Sequence, residues 1–172
     1  MNYKELFKNI TTVVLDVDGV LTNGSVFLMP GTEPVRQMHS KDGYALQLAK
    51  RNGIRLAVIT GGTSMEVKER LNSAGIQDVY MRASNKMEAY EDLKMCYDLT
   101  DEEILYMGDD LPDYDVMKCV GLSCAPQDAA PEIKAIADYV SPVNGGEGCV
   151  RDVLEQLLKI HGKWGRKEDR TW

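Results

Sequence analysis

The sequence predicts an α/β fold: a doubly wound parallel sheet with helices on both faces. Three observations carry that reading. From residue 42 onward, short apolar runs of strand length alternate with helix-length segments, the pattern of a parallel sheet covered on both sides. Glycines and capping residues fall at the joints of that alternation. Three of the strands end in polar clusters, Asp16-Val17-Asp18, Thr60-Gly61-Gly62 and Gly108-Asp109-Asp110. In such sheets a ligand site lies at the carboxyl edge, near the topological switch point.

The elements follow in order. Residues 2–9 read as a short leading helix, and residues 11–17, an apolar run closing on an acid, as the first strand. Ser25 to Met29 and Val35 to Met38 are β-prone runs around Pro30-Gly31, so residues 24–38 are predicted to form a hairpin inserted after strand one. Its apolar Val26, Phe27, Leu28 and Met29 need a covering surface, on the domain or on another subunit. Asp42 to Lys50 is helical with Gly53 as its stop, and Arg55 to Thr60 is a second strand. Ser64 is the candidate N-cap of a helix to Ala74, with Val67 and Leu71 on one face. Asp78 to Met81 is a short strand, Lys86 to Tyr97 a helix, and Thr100 to Glu103 a capping-box sequence before the strand Ile104 to Met107. Leu111 to Val120 is helical with Pro112 in its first turn, where proline is tolerated. Gly121 to Cys124 and Tyr139-Val140 are strands around a helix from Ala130 to Ala137. A last helix, Cys149 to His161, is entered through Gly145-Gly146-Glu147-Gly148. The polar tail, residues 162–172, is expected to be mobile or ordered by a neighbouring chain.

A chain of 172 residues is long enough for one core, so residues 1–172 are read as one domain. Lys and Arg number 20 against 27 Asp and Glu, a net charge of −7 that argues against nucleic acid as partner. No window approaches the ~18 apolar residues of a membrane helix, and no signal-peptide pattern opens the chain, so no membrane partner is expected. Cys96, Cys119, Cys124 and Cys149 form no CxxC pair, which points to reduced, mostly buried thiols in a cytoplasmic protein. The methionines read as core filling, and His161 as a residue of a helix C-terminus.

The chemistry rests on convergence at one sheet edge. Side chains alternate along a strand, so Asp16 and Asp18 share a face, where their repulsion calls for a cation or for one protonated acid. A lone threonine at a strand end is usually structural, and a lone lysine at a helix start is usually solvated. Thr60, Lys86, Asp109 and Asp113 gathered with the first two acids suit phosphoryl transfer instead. A carboxylate can attack phosphorus, and a second acid two residues on can protonate the leaving oxygen. A hydroxyl, backbone N–H groups and a lysine can hold the non-bridging oxygens. Oxygens from Asp16 and Asp109 suit Mg²⁺.

Asp16-Val17-Asp18-Gly19-Val20, Thr60-Gly61, Lys86 and Gly108-Asp109-Asp110-x-x-Asp113 resemble, in order, motifs I to IV of the haloacid dehalogenase superfamily. The likeness spans residues of about 10–160 and implies a Rossmann-like fold without a large cap domain. More narrowly, Lys41-Asp42-Gly43-Tyr44, Ser84-Asn85-Lys86 and Gly145 to Arg151 make the chain similar to the 3-deoxy-D-manno-octulosonate (KDO) 8-phosphate phosphatase family, which serves lipopolysaccharide biosynthesis. The resemblance implies Asp16 as nucleophile and Asp18 as general acid/base. It implies Thr60, Gly61 and Lys86 as phosphate ligands. Mg²⁺ would be held by Asp16, the Asp18 carbonyl and Asp109, with Asp110 and Asp113 orienting them. It further implies a homotetramer joined through the hairpin, and sugar-acid contacts from Asp18, His39, Ser40, Lys41, Asp42, Gly43, Gln47, Gly62, Arg70 and Lys86.

Three residues depart from that family's pattern: Lys41, Gln47 and Gly62 stand where arginine is common. Arginine grips a carboxylate bidentately and lysine does not, so the clamp for a sugar acid must come from elsewhere. Arg70, Lys41, or a neighbour's Arg151, Lys163 or Arg166 are the candidates. A nonulosonate 9-phosphate is the nearest competing substrate. Outside this class, a signalling receiver domain also sets acids, Thr and Lys on a doubly wound sheet, but with its adjacent acids after the first strand. A non-catalytic assembly domain would not need the full set Asp16, Asp18, Thr60, Lys86 and Asp109.

Overall fold

The computed structural model describes residues 2–171; Met1 and Trp172, the two ends of the expected domain, lie outside them. Thr12-Val13-Val14-Leu15 is buried on both sides, and this run, β1 (Thr12–Leu15), takes the middle of the sheet. The other strands are β2 (Arg55–Ile59), β3 (Asp78–Tyr80), β4 (Ile104–Met107), β5 (Leu122–Ala125) and β6 (Tyr139–Val140). All pair in parallel, in the order β3-β2-β1-β4-β5-β6. The chain moves outward from β1 to one edge, returns, and continues outward on the other side. The switch point therefore lies at β1, between β2 and β4.

Among the described residues seven α-helices accompany the strands: α1 (Tyr3–Leu6), α2 (Ser40–Arg51), α3 (Met65–Ser73), α4 (Lys86–Tyr97), α5 (Tyr114–Cys119), α6 (Pro131–Ile136) and α7 (Cys149–Ile160). Strand alternation splits the core in two. Val13, Leu15, Leu105 and Met107 face α2 and α7 through Leu46, Leu154 and Leu157. Val14, Ile104 and Tyr106 face α4, α5 and α6 through Tyr90, Leu93, Val116 and Ile133.

The caps explain the boundaries. Ser64 Oγ accepts the Val67 N–H at 3.3 Å, as its position before an apolar stripe predicts. Asn85 Oδ1 accepts the Met87 N–H at 3.1 Å. Thr100 and Glu103 close the expected capping box over a single 3₁₀ turn. Gly148, at the start of α7, has no side chain to cap with; Asp42 of α2 reaches across instead, its Oδ1 accepting the Arg151 N–H at 2.7 Å.

The structure corrects several expectations. The hairpin is reduced to one antiparallel bridge, Phe27 with Val35. Two strands with no third partner and no covered face do not sustain a ladder. Leu111 to Asp113 is a 3₁₀ turn rather than the start of an α-helix, because Asp110 and Asp113 cap it and Pro112 tightens it. The tail lies against its own α2. Arg166 binds Asp169 and the Asn52 side chain, Lys163 Nζ reaches the Asn52 carbonyl at 2.9 Å, and the Tyr44 hydroxyl donates to the Asp169 carbonyl. Cys124 and Cys149 are buried, but Cys96 and Cys119 are exposed. Met107 and Met117 fill the core, whereas Met29, Met65 and Met95 face outward. His161 caps the end of α7, its Nε2 3.0 Å from the Phe7 carbonyl. Among the described residues no helix is long and apolar enough to cross a membrane.

Candidate active site

The sheet register places the site. Leu15 pairs with Val58 on one side and with Met107 on the other, so the next residues of β1, β2 and β4 leave the sheet at nearly one height. The ladder runs on beyond the strands: Asp16 N–H donates to the Met107 carbonyl at 3.0 Å and Thr60 N–H to the Tyr80 carbonyl at 2.9 Å. Polar residues that follow buried strands are thus held as firmly as the core beneath them.

After Asp16 the chain makes one wide turn, Val17–Leu21, closed by the Thr22 N–H on the Val17 carbonyl at 3.0 Å. Gly19 sits there at φ +89°, and a Cβ on it would stand 1.9 Å from Asp109 Oδ2. Only glycine lets the β1 turn lie against the β4 carboxylate. Gly145 and Gly146 pack behind the same turn; a Cβ on Gly145 would stand 1.9 Å from the Gly19 carbonyl oxygen. The glycine-rich entry to α7 is therefore a buttress for the turn.

Lys86, the first residue of α4, is buried between two acids. Its Nζ lies 2.6 Å from Asp113 Oδ1 and 3.0 Å from Asp16 Oδ1. Asp113 also accepts the Tyr106 hydroxyl at 2.7 Å and the Asp109 N–H at 3.0 Å, so its oxygens are fully used inside the protein. The contacts to Asp16, from Lys86 and from the Val17 N–H at 2.7 Å, fall on Oδ1 and leave Oδ2 for a ligand.

Electrostatics follow from this crowding. Burial first, then the charge of Asp113, push Asp16 up to about 6 although Lys86 pulls the other way. Burial, then Asp16, Asp113 and Asp110, push Asp109 up to about 7. Burial acts to lower Lys86, but Asp16 and Asp113 outweigh it and hold the ammonium above its ordinary value. Raised values for both members of the Asp16–Lys86 pair are compatible, since one ammonium serves three carboxylates.

That excess of negative charge is what a cation would relieve. One oxygen each from Asp16, Asp109 and Asp113 lie within 4.8 Å of one another. All are hard donors of the kind Mg²⁺ takes. With Asp113 spent on Lys86, Tyr106 and backbone N–H groups, Asp16 and Asp109 have oxygens to give, and the donor set fits the ion.

The remaining candidates separate into two groups. Thr60 is buried at the end of β2 and its Oγ1 accepts the Gly62 N–H at 3.0 Å, which leaves the hydroxyl proton for a ligand. Gly61 is exposed beside it. Asp18 is half-exposed and engaged by Arg36, with Nε to Oδ1 at 2.7 Å and Nη2 to Oδ2 at 3.2 Å. Arg70 lies over Gly43, where a Cβ would be 2.8 Å from its Nη2, and lines a cleft of about 440 Å³ with Arg36 and Ser64. His39 and Gln37 line a smaller one with Asn23 and Glu147. His39 Nδ1 accepts the Lys41 N–H at 3.3 Å, and Ser40 and Lys41 are exposed.

Others are turned away. Asp42 is buried, with its carboxylate on the N-terminus of α7. Gln47 is half-buried, two turns into α2. Asp110 caps its own turn, Oδ1 accepting the Leu111 N–H at 2.8 Å. Lys163 and Arg166, candidate clamps from a neighbour, are occupied on their own chain.

Two participants escape a reading of motifs. Tyr106 carries a signal: a tyrosine in a buried strand needs a partner for its hydroxyl. Arg36 carries none, because it comes from the inserted hairpin and meets Asp18 only in three dimensions.

Comparison with known proteins bears on this arrangement. Residues 71–154 match the haloacid dehalogenase-like hydrolase family. The 3-deoxy-D-manno-octulosonate 8-phosphate phosphatase KdsC of Escherichia coli K12 is 40% identical over 156 residues, 91% of this chain and 83% of that protein. The chain belongs to the KDO 8-phosphate phosphatase family. The crystal structure of the family member from Yersinia pestis superimposes with a TM-score of 0.92 at 34% identity, covering 94% of this chain and 88% of that one. The Moraxella catarrhalis member, solved with a magnesium ion, a phosphate ion and a KDO molecule, gives 0.89 at 30% identity, covering 92% and 91%. Membership in this phosphatase family sets aside the receiver and assembly-domain readings.

Proposed function

We propose that this chain is a Mg²⁺-dependent phosphomonoesterase that hydrolyses KDO 8-phosphate to KDO and phosphate, in lipopolysaccharide biosynthesis. The observation that carries the reading is Asp16: a buried carboxylate fixed through Oδ1 by Lys86 and its own turn, with Oδ2 free at the switch point of the sheet. A relative at 40% identity bears that activity's name, and a solved relative holds the ion and both products.

The Asp16 carboxylate attacks phosphorus and forms an aspartyl-phosphate as the sugar oxygen leaves. Asp18, two residues on, gives that oxygen its proton and then takes one from the water that hydrolyses the intermediate. The Thr60 hydroxyl, the Gly61 N–H and the Lys86 ammonium hold the non-bridging oxygens. Mg²⁺, held by Asp16, Asp109 and the Asp18 carbonyl, supplies charge neutralisation for the transferring group. Asp113 holds Lys86 in place and Asp110 sets the turn that presents Asp109.

We read residues 1–172 as one phosphatase domain in the cytoplasm, a homotetramer joined by the hairpin. Val26, Phe27, Leu28, Met29 and Val35 are exposed there as a contiguous apolar set, which supports burial by copies of the same segment. A nonulosonate 9-phosphate is the competing substrate, because Lys41, Gln47 and Gly62 stand where the family commonly has arginine. Assaying both phosphates with Mg²⁺ tests the choice: kcat/KM should favour KDO 8-phosphate, and a large preference for the other ester would overturn it. Asp16→Asn should abolish turnover of either, and retained hydrolysis would remove the mechanism.

A further inference from the structure

Arg36 has one guanidinium and holds Asp18 with both prongs. Nε reaches Oδ1 at 2.7 Å and Nη2 reaches Oδ2 at 3.2 Å, while Nη1 donates to the Pro34 carbonyl at 3.1 Å. The arginine side chain is 13% exposed, so the guanidinium is largely shielded, while the Asp18 side chain, at 38%, stays open to solvent. Both oxygens of Asp18 thus face the guanidinium, and Oδ1 also accepts the Thr22 hydroxyl at 3.4 Å, so Asp18 reaches a leaving sugar oxygen only by sharing or giving up these donors.

The place of Arg36 is as telling as its partner. Gly62 contributes no side chain, and Arg36 Nη2 lies 3.9 Å from where a Gly62 Cβ would be. The guanidinium therefore fills the room that Gly62 leaves beside Thr60. On its other side Arg36 borders the 440 Å³ cleft, in which Arg70 is the one other cation among the lining residues. The backbone that carries Arg36 is joined to the rest of its hairpin by a single bridge, Phe27 with Val35, so few bonds oppose its movement. A bidentate arginine at the junction of acid, phosphate loop and cleft is the geometry that recognises a carboxylate.

We propose that Arg36 determines specificity by exchanging one carboxylate for another: it leaves Asp18 for the carboxylate of the substrate. The substrate's own carboxylate thereby frees the general acid. Esters without a carboxylate leave Asp18 locked and are poor substrates even when their phosphate binds well. The inference rests on the sugar-acid phosphatase reading and supplies the clamp that positions 41, 47 and 62 lack.

The test compares two esters, KDO 8-phosphate and the carboxylate-free D-ribose 5-phosphate, in the wild type, Arg36→Met and Arg36→Lys. For Arg36→Met, kcat/KM on KDO 8-phosphate should fall on the order of 10- to 100-fold, mostly through KM, as expected for the loss of a charge-assisted pair. On ribose 5-phosphate it should rise severalfold through kcat, because Asp18 is released. Arg36→Lys keeps charge without the fork and should fall between, and guanidinium ion should restore part of the KDO 8-phosphate activity to Arg36→Met. Equal loss on both esters would assign Arg36 a structural role and overturn the proposal; so would no change on either. A wild type that shows no preference for the carboxylated ester would instead remove the functional reading itself, and the proposal with it.

Discussion

Lys86 Nζ and Asp113 Oδ1 stand 2.6 Å apart, both buried, and this pair fixes the nucleophile from behind. Lys86 then reaches Asp16 at 3.0 Å, so the position of Asp16 depends, through Lys86, on Asp113, whose oxygens are spent inside the protein. Asp113→Asn keeps the shape but strips the ammonium of one counter-charge, and removing one partner of a buried pair costs about 3–5 kcal/mol. We expect a loss of that size in urea unfolding, and a fall in kcat on the order of 10- to 100-fold. Tyr106→Phe deletes a single hydrogen bond to the same carboxylate and should cost only about 1 kcal/mol. Equal effects from the two variants would show that Asp113 is not the anchor.

The contrast between Asp113 and Arg36 shows what a sequence can tell. Asp113 follows Gly108-Asp109-Asp110 by a fixed spacing on a short turn, so local geometry alone brings it back under Asp109. The strands were legible because parallel strands buried on both faces are plain apolar runs, and Lys86 to Tyr97 and Ile104 to Met107 occupy the predicted residues. The hairpin was not, since β-prone runs form a ladder only against a surface, and that surface is absent within one chain. The tail was misread because its docking depends on side chains more than a hundred positions away, Tyr44 of α2 and Asn52 just after it. The bond from Asp42 to the start of α7 was not legible either, since it joins residues 109 positions apart and answers to a cap that Gly148 lacks.

Asp42 makes the stability of the fold pH-dependent. Burial pushes it up to about 6, against the Arg151 N–H and the nearby charges of His39 and Arg151, and its second oxygen is buried without a hydrogen-bond partner. The folded value lies above the unfolded one of 3.8, so the folded chain holds the proton more tightly. Its stabilising contribution is complete below the unfolded value and is lost as pH rises through the folded one. The loss amounts to about 2–3 kcal/mol by pH 8. Asp42→Asn should therefore be more stable than the wild type at pH 8 and indistinguishable near pH 4, compared by thermal melting with Mg²⁺ present. A constant difference across that range would sink the argument.

Mg²⁺ should bind in competition with protons. Asp16 and Asp109 are raised to about 6 and about 7 by burial and mutual repulsion, so both carry protons part of the time at neutral pH. A cation takes the carboxylate form, hence its affinity should climb from pH 5 to 8 and its uptake should release protons. Removing the metal with a chelator should lower Tm most at the alkaline end, where both acids are charged and unscreened by the ion. Asp109→Asn should abolish the metal-dependent shift in Tm. Calorimetry in two buffers of different ionisation heat reads the proton release directly, and its absence would contradict the raised values.

The hairpin prediction concerns assembly. Leu28 and Phe27 are 80% and 66% exposed, an arrangement that copies of the hairpin would cover. Leu28→Asp should yield monomers in sedimentation at micromolar concentration, while the wild type sediments as a tetramer. The protomer core contains neither residue, so circular dichroism should be unchanged. Since Arg36 rides on the same segment, the monomer should also lose activity, mainly in KM. A wild type that is itself monomeric would refute the assembly.

Gly19 offers the sharpest separation of fold from function. Its φ of +89° is costly for any other residue, by roughly 1–2 kcal/mol, and a Cβ would collide with Asp109 Oδ2 at 1.9 Å. The colliding group is a carboxylate that can swing outward, so the collision need not unfold the sheet. It must, however, move Asp109 away from Asp16, and the pair can then no longer share an ion. Gly19→Ala should thus lose stability by about 1–3 kcal/mol while kcat falls at least 100-fold and Mg²⁺ no longer raises Tm. Gly53→Ala is the control: it too has positive φ, at +85°, but a Cβ there meets nothing within 4 Å. It should show the same order of backbone cost with activity and metal response intact. If the two variants behave alike, the turn after β1 is conformationally demanding but not fitted to the metal-binding acid, and the link between Gly19 and Asp109 fails.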